Sequence, residues 1–270
     1  MYQETLDHFA NLGGKKVDLM ARSPLAFITG ALMAGAYIGF GIILIFSVAA
    51  TIGAPFQKLV MGVSFGIALT LVVFAGAELF TGHTMYMTLG WLKRITTLKD
   101  LAIVWVTSWT FNLVGSVGLA VIFAIGGGGI LFDDGASLLH KVAEYKMNSP
   151  AVALVARAIL CNWLVCLALW MAARVRGDAA KAIVIFWCLF AFIASGYEHS
   201  VANMTLLSLA LLSDPPATIS VVGMAHNLLW VTLGNIIGGG IFMAFGYWKA
   251  ADAKRPLASS AGGIQIANPK

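Results

Sequence analysis

The chain has 270 residues, of which 60% are apolar and only 11% are charged, against roughly 25% charged residues in a typical soluble domain. Because so few charged groups cannot cover a protein surface in water, the composition excludes an ordinary soluble globule. It predicts a protein folded in lipid. The formal net charge of +5 does not indicate a nucleic-acid partner, because the basic residues lie between apolar runs and not on one polar face. The length fits one domain of packed helices.

The segment 1–24 is polar and precedes the first apolar run, so no cleaved targeting peptide is expected. Its apolar residues partly share one face of a helix, which fits a short cytoplasmic helix at the membrane interface. An unfolded tail is the alternative. The opposite end, residues 251–270, is rich in small and polar residues and is predicted to be a disordered cytoplasmic tail.

Six apolar runs reach the length of about 20 residues that a helix needs to cross a bilayer. Alternating segments of about ten residues, which would indicate a β-barrel, are not seen. The chain is therefore predicted to be an all-α membrane protein with a channel domain over residues 25–250. The six runs are residues 25–50, 59–89, 101–125, 150–173, 182–212 and 225–250.

The distribution of basic residues predicts the orientation, because cytoplasmic loops carry an excess of lysine and arginine. The loops on one side hold only Lys58, Lys141 and Lys146. Both termini are therefore expected in the cytoplasm, with the loop 131–149 on the outer face. The opposite side carries many more basic residues: Lys15, Lys16, Arg22, Lys93, Arg94, Lys99, Arg174, Arg176, Lys181, Lys249, Lys254 and Arg255.

The second and fifth runs are too long for one straight crossing, and each contains a polar interruption. A Gly-x-Glu sequence marks both interruptions, with Glu78 in the first and Glu198 in the second. An Asn-x-x-Gly sequence follows each at a similar separation, beginning at Asn112 and at Asn235. The pattern predicts a duplication, and since each half has three crossings the two halves must be inverted. Inverted repeats with one broken helix each are a transport architecture, with the pathway between the breaks.

His199 is the first candidate for a functional residue, because it lies at the second interruption. Ionisable residues inside a membrane are costly and rarely face lipid. Histidine titrates near neutrality when unperturbed, so His199 could donate a hydrogen bond to an anion or lend it a proton. The alternative is a structural histidine that ties the broken backbone together.

Four other polar residues accompany this histidine. The hydroxyl of Thr81, in the first interruption, could face His199 across the pseudo-twofold axis or cap the helix that resumes there. Glu78 and Glu198 are expected to accept hydrogen bonds from free backbone N–H groups at the two helix starts, with a proton relay as the alternative. Asn162, deep in the fourth run, could reach the centre of the protein and hold His199.

Two basic residues lie near the outer end of the fourth run. Lys146 could draw anions into a vestibule, or it could be an ordinary solvated loop lysine. Arg157 lies about two turns into the run, where snorkelling or an interface ion pair is a better fit than substrate contact. The chain shows no Walker loop, nucleophile elbow or zinc spacing, so no enzyme activity, cofactor or metal is expected.

Two other classes of membrane protein remain open from the residues alone. An aquaporin-like pore for neutral solutes normally carries two Asn-Pro-Ala boxes, whereas the one Asn-Pro pair here is Asn268-Pro269 in the tail. A haem-bearing redox subunit needs paired axial histidines on facing helices, which His199 and His226 could in principle supply.

Several stretches resemble the formate/nitrite transporter family over nearly the whole chain. Glu-His-Ser-x-Ala-Asn-Met at residues 198–204 is a highly specific string of that family. Glu-Leu-Phe-Thr at 78–81 resembles the family's loop in the second segment, and Gly-Asn-Ile-Ile-Gly-Gly-Gly at 234–240 resembles its sixth helix. Within the family, Cys-Asn-Trp-Leu-Val-Cys at 161–166 and Gly-His-Thr-Met at 82–85 are most similar to the bacterial nitrite channel.

This resemblance implies a homopentamer of aquaporin-like protomers, each with its own pore for small monovalent anions such as nitrite, formate and hydrosulfide. It implies that His199 is the central pore histidine, Thr81 its partner in the loop, Asn162 the amide beside it and Lys146 a vestibule lysine. It further implies two apolar constrictions, which resist hydrated ions and gate by dewetting. The outer one would consist of Phe65, Leu69 and Phe192, and the inner one of Leu79, Phe80 and Val165.

One sequence feature departs from the resemblance. Formate-channel relatives often have serine or threonine after the loop threonine, where this chain has Gly82 and His83. A second histidine there could alter loop mobility or proton handling. Apart from this feature, the resemblance implies a pentamer in the bacterial inner membrane that passes nitrite, with formate, hydrosulfide and protons as further candidate substrates.

Overall fold

The structure, a computed structural model, describes residues 2–252, so most of the predicted tail at 251–270 lies outside the described residues. Within the described part of the chain, the regular structure is helical. The helices are α1 (Gln3–Arg22), α2 (Pro24–Ala50), α3 (Ala54–Ser64), α4 (Gly66–Ala75), α5 (Phe80–Leu92), α6 (Leu98–Ile125), α7 (Ala136–Met147), α8 (Ala151–Ala172), α9 (Asp178–Ala194), α10 (Ser200–Leu212), α11 (Val221–Ile236) and α12 (Gly246–Asp252). A short 3-10 turn at Gly129–Phe132 and a π-helical stretch at Ile237–Phe245 complete the regular structure.

Five helical stretches in the described residues are long and apolar enough to cross a membrane. Four of them coincide with predicted apolar runs to within a few residues, while Ala54–Ala75 covers only the first part of the run predicted at 59–89, and α5 covers the rest. The remaining run is occupied by α9 and α10, which have 17 and 13 residues, so neither alone reaches crossing length. The five stretches are Pro24–Ala50, Ala54–Ala75, Leu98–Ile125, Ala151–Ala172 and Val221–Ala251.

Glycine ends the helix that precedes each polar segment. Gly76 follows α4 with φ of 79°, and Gly196 follows α9 with φ of 73°. Both angles lie in the region that L-residues rarely adopt, so glycine is the residue that lets the chain leave the helix there. Four residues after Gly76 the chain enters α5, and four residues after Gly196 it enters α10.

Glycine also allows two helix pairs to approach each other closely. A Cβ atom on Gly115 of α6 would collide with the carbonyl oxygen of Leu32 in α2. In the same way, a Cβ atom on Gly238 would lie 2.5 Å from the carbonyl oxygen of Ile159 in α8. Small residues at such crossings let backbones pack in lipid, where no hydrophobic effect drives helices together. These two pairs form the frame that surrounds the short helices α5 and α10.

Helix α1 is folded against the rest of the molecule, so the alternative of an unfolded tail is wrong. Its Phe9 is buried and stacks on Tyr86 and Trp170, with ring centroids 5.1 and 5.8 Å apart. Gly13 lies against the backbone of Tyr86 in α5. The placement of this helix at a membrane interface stays a prediction.

Candidate functional site

The two interruptions are stabilised by two asparagines that make the same set of bonds. At the first, Asn112 of α6 accepts a hydrogen bond on Oδ1 from the backbone N–H of Phe80, at 2.9 Å. Its Nδ2 donates to the carbonyl oxygens of Glu78 and Ala31, at 3.0 and 2.8 Å. One buried side chain therefore binds the free N–H group at the start of α5 and two carbonyls near it.

Asn235 of α11 does the same at the second interruption. Its Oδ1 accepts from the N–H of Ser200 at 2.8 Å, and its Nδ2 donates to the carbonyls of Glu198 and Ala158 at 3.0 and 2.9 Å. The prediction that the two glutamates would accept these backbone N–H groups is therefore wrong. An amide suits the position better than a carboxylate, because it can donate to the carbonyls as well as accept from the N–H.

The carboxylate of Glu78 is paired with two basic side chains instead. Lys16 of α1 donates from Nζ to Oε1 at 2.7 Å, and His83 of α5 donates from Nε2 to Oε2 at 2.9 Å. His83 is almost fully buried, and its ring stacks on Phe27. From the sequence, Lys16 was noted only as one of the basic residues on the predicted cytoplasmic side. The partnership links α1 to the first interruption, 62 residues away.

Glu198 at the second interruption has three partners. Lys146 of α7 donates from Nζ to Oε2 at 2.7 Å, and Asn203 donates from Nδ2 to the same oxygen at 2.7 Å. The Nε atom of Arg157 lies 3.7 Å from the other oxygen, Oε1. The two glutamates thus share a lysine from a preceding helix, but their second partners differ. We call the two ends of the molecule the Lys16 side and the Lys146 side.

His199 and Thr81 meet between the two interruptions, as their positions in sequence suggested. Nε2 of His199 lies 3.0 Å from Oγ1 of Thr81, and both residues are buried. Nδ1 of His199 accepts a hydrogen bond from the N–H of Ala202 at 3.1 Å. Because Nδ1 is an acceptor, the neutral ring carries its proton on Nε2 and donates to Thr81. The Thr81 hydroxyl hydrogen is then free to point toward a ligand.

Asn162 does not hold His199, contrary to the expectation drawn from its depth. Both ring nitrogens of His199 already have partners, so no site remains for the amide. The Nδ2 atom of Asn162 lies 2.7 Å from the carbonyl oxygen of Asn235, 2.9 Å from Oγ1 of Thr84 and 3.2 Å from the carbonyl oxygen of Thr81. Asn162 therefore supports the backbone beneath Thr81.

A small cavity of about 10 Å³ lies beside His199, with a volume at the lower limit for one water molecule. The predicted outer constriction forms part of its wall: Phe65 and Phe192 meet edge to face with centroids 5.6 Å apart, and Phe192 stacks on His199. The complete lining is Ile38, Phe65, Leu69, Leu79, Val165, Leu189, Phe192 and His199.

A larger cavity of about 710 Å³ lies on the Lys16 side. Lys16, Glu78 and His83 form part of its wall, together with Leu69 and Leu79, which also line the small cavity. Leu69 and Leu79 therefore lie between the two spaces. Phe80 is buried but lines neither of these two cavities in the described part of the chain.

The histidines proposed as haem ligands are engaged elsewhere. Nε2 of His226 lies 3.1 Å from the carbonyl oxygen of Ser149, and both nitrogens of His199 bind protein atoms. No group of three or more metal-ligating side chains occurs in the residues that the structure describes. This geometry gives no support to a haem-bearing redox subunit.

Comparison with known proteins shows the family to which this site belongs. A sequence model of the formate/nitrite transporter family matches residues 3–249. The chain belongs to the formate/nitrite transporter family. It is 48% identical over 259 residues to the nitrite transporter NirC of Escherichia coli K12, which covers 96% of both chains. It is thus related over its length to membrane transporters, and it is a multi-pass membrane protein.

Solved structures of the family agree with the fold. An ion channel of the formate/nitrite transporter family superposes with a TM-score of 0.89 at 48% identity, covering 92% of this chain and 98% of the other. A pentameric formate channel with formate bound superposes with a TM-score of 0.71 at 27% identity, covering 85% and 98%. The similarity of backbones extends to a relative with about a quarter of its residues in common.

Four partnerships in this site were not found from the sequence. Lys16 and His83 contact Glu78, Lys146 and Asn203 contact Glu198, and none of the four had been assigned a role beside a glutamate. The duplication offered a signal for the first of them. Since Lys146 precedes the second half, an equivalent lysine was to be expected before the first half, where Lys16 lies.

Proposed function

We propose that this chain is a nitrite channel of the bacterial inner membrane that assembles as a homopentamer, with one pore in each protomer. The similarity to the nitrite transporter NirC at 48% identity supports nitrite as the substrate, and the pentameric state of the related formate channel supports the assembly. Formate and hydrosulfide are the alternative anions. The distribution of basic residues supports a cytoplasmic position for both termini.

The proposed architecture has six crossings in two inverted repeats. In it, α4 with α5 and α9 with α10 are the two broken crossings, and each break lies at membrane depth. The matching bonds of Asn112 and Asn235 support this reading, because the same three-bond arrangement recurs at both breaks. Unwound backbone at such depth requires protein partners of this kind.

The proposed path runs from the Lys146 side to the Lys16 side through the centre. The anion is collected near Lys146 and loses water between Phe65, Leu69 and Phe192, which form the outer constriction. It is then met by His199 and Thr81. It leaves past the inner constriction of Leu79, Phe80 and Val165. Leu79 and Val165 line the small cavity, whereas the place of Phe80 in this constriction rests on the family resemblance.

The observation that carries this proposal is the contact between His199 and Thr81. A dry apolar passage opposes a bare anion, so hydrogen-bond donors at its narrowest part lower the barrier. The Thr81 hydroxyl can turn its hydrogen to the anion while its oxygen accepts from Nε2 of His199. The bond from Ala202 occupies Nδ1, which favours donation of a hydrogen bond over full transfer of a proton from a doubly protonated ring.

The proposal is tested with purified protein in liposomes, by the flux of nitrite, formate and hydrosulfide. We expect nitrite flux through the unmodified protein and a roughly tenfold lower flux through His199→Asn, as loss of about 1.4 kcal/mol in hydrogen bonding implies. Asparagine still caps α10 but does not extend to Thr81. His140→Asn, at a histidine bonded to Ser213, is the matched control and keeps full flux.

Three results would overturn the proposal in different ways. Unchanged nitrite flux and pH dependence in His199→Asn would remove His199 from the pathway. Flux of formate or hydrosulfide with no flux of nitrite would assign the pore to another anion of the family. Rapid water permeation without anion flux would favour a neutral-solute pore, which stopped-flow light scattering detects.

A further inference from the structure

Glu198 has more positive charge around it than one carboxylate needs. Lys146 and Arg157 both approach it, and Asn203 adds a third donor. The glutamate side chain is 1% exposed, while those of the lysine and arginine are 15% and 20% exposed. The cluster therefore carries two cationic groups and one anionic group on the Lys146 side.

Lys146 is held in a way that conflicts with its proposed role. Its Nζ lies 2.7 Å from Oε2 of Glu198, so the ammonium group is already bound to a carboxylate. An anion that takes this lysine leaves a buried carboxylate behind, and a buried charge that loses its partner is strongly destabilising. A second cation beside Glu198 removes this penalty.

Arg157 has hydrogen-bond donors available to pair with Glu198 in place of Lys146. Its Nη1 donates to the hydroxyl of Tyr145 at 2.6 Å, and its guanidinium lies 5.0 Å from the centre of that ring. Its Nε and Nη2 are buried and have no hydrogen-bond partner in the described residues. Nε is 3.7 Å from Oε1 of Glu198, so a shift of about 0.5–1 Å brings it within hydrogen-bond distance.

The other interruption lacks this arginine. The N–H of Glu198 donates to the carbonyl of Arg157, and the N–H of Glu78 donates to the carbonyl of Gly30. Gly30 is therefore the counterpart of Arg157, and a Cβ atom there would lie 2.9 Å from Cγ of Glu78. No side chain fits at that place, and His83 supplies the second partner of Glu78 instead.

We propose that Arg157 is a positioning residue that takes over Glu198 when Lys146 turns to an incoming anion. The inference rests on the proposed function, because it assumes that Lys146 collects the anion. Arg157 does not touch the anion. It closes on Oε1 while Lys146 leaves Oε2, so the carboxylate stays paired and the cluster keeps its excess positive charge for the ligand.

The test measures nitrite flux in liposomes against nitrite concentration. Arg157→Gln raises the half-saturating concentration about tenfold and lowers the maximal flux by less than about twofold, because only the capture step loses its support. Arg157→Lys restores the half-saturating concentration to within about threefold. Lys141→Gln, an exposed lysine on the same helix as Lys146, leaves both parameters unchanged.

A double variant separates this role from direct contact or from mere stability. In Glu198→Gln the carboxylate charge is absent, so Lys146 is free and Arg157→Gln has no further effect on the half-saturating concentration. If Arg157→Gln raises it equally in both backgrounds, the proposal is overturned. Gel filtration tests whether Glu198→Gln assembles. If it does not, the proposal is overturned instead by equal half-saturating concentrations in Arg157→Gln and the unmodified protein.

The same experiment distinguishes failure of the inference from failure of the proposed function. Absence of nitrite flux through the unmodified protein refutes the function. Normal nitrite flux with no response to Lys146→Gln refutes the collecting lysine, and the inference with it. Nitrite flux that responds to Lys146→Gln but not to Arg157→Gln refutes the inference alone.

Discussion

The interruptions before α5 and α10 use the same means to hold the backbone and different side chains to line the space between them. Each follows a glycine with positive φ, each is tied by an asparagine from a long helix, and each has a glutamate paired with a lysine. The residue just before the new helix differs, being Leu79 in one and His199 in the other. The shared parts support the fold, and the differing parts give the centre its chemistry.

The charges beside the glutamates differ in the same manner. On the Lys16 side the second partner of Glu78 is a histidine, His83, whereas on the Lys146 side the second basic group near Glu198 is the guanidinium of Arg157. Asn203 completes the shell of Glu198 with a neutral donor. The cluster around Glu198 therefore holds two cationic side chains against one carboxylate, whereas Glu78 is paired with one lysine and one histidine.

Removal of either asparagine is expected to give the largest effect. Asn112→Ala and Asn235→Ala each leave one backbone N–H and two carbonyls at an interruption without their partner, which costs about 3 kcal/mol in the free energy of unfolding. The two losses should be equal within about 1 kcal/mol if the halves are built alike. Unfolding in mixed detergent micelles measures both values.

Asn148→Ala is the matched control for these variants. Asn148 is exposed and also donates from its amide to two carbonyls, those of Glu144 and Thr218. Its removal should change stability by less than about 1 kcal/mol, because water replaces the lost bonds. Equal losses in all three variants would show that the interruptions do not depend on buried amides.

The sequence alone predicted the places of the interruptions better than the bonds that hold them. Glu78 and Glu198 were visible because charged residues stand out in apolar runs, and the repeat of Asn112 and Asn235 was visible from its spacing. Which polar group binds which could not be read from the sequence. The amides cap the helix starts and the carboxylates bind lysines from helices 62 and 52 residues away, and only the packing of those helices decides between these roles.

A smaller effect is expected at position 30, where the first half has a glycine and the second half has the much larger Arg157. Gly30→Ala places a Cβ atom 2.9 Å from Cγ of Glu78, a side chain fixed by both Lys16 and His83, so the variant should lose about 1–3 kcal/mol in stability. Gly118→Ala in α6 is the control, since outside its own helix no atom of the described residues lies within 4 Å of its Cβ position.

The control should be neutral or stabilising by up to about 1 kcal/mol, because alanine is the better helix former. The comparison uses the same unfolding assay in mixed micelles. A Gly30→Ala variant as stable as Gly118→Ala would show that Glu78 has room to move and that the first interruption can accept a side chain.

The centre shows the limit of prediction from sequence in one pair of residues. Thr81 and His199 were expected to face each other, and the structure places them 3.0 Å apart. Asn162 was expected beside the ring, but it binds the backbone of Thr81. The position of a residue along an apolar run gives its depth in the membrane. Its partner depends on how the helix is rotated about its axis, and the sequence does not give this rotation accurately enough to tell one neighbour from the next.

The most direct test of the account is a double-mutant cycle across the two interruptions, read out as nitrite flux in liposomes. Thr81→Val and His199→Asn are each expected to lower the flux roughly tenfold. If the two side chains act as one hydrogen-bonded unit, the double variant should be no slower than the slower single variant. Losses that multiply to about a hundredfold would show that the two residues act independently, and would contradict a shared site between the interruptions.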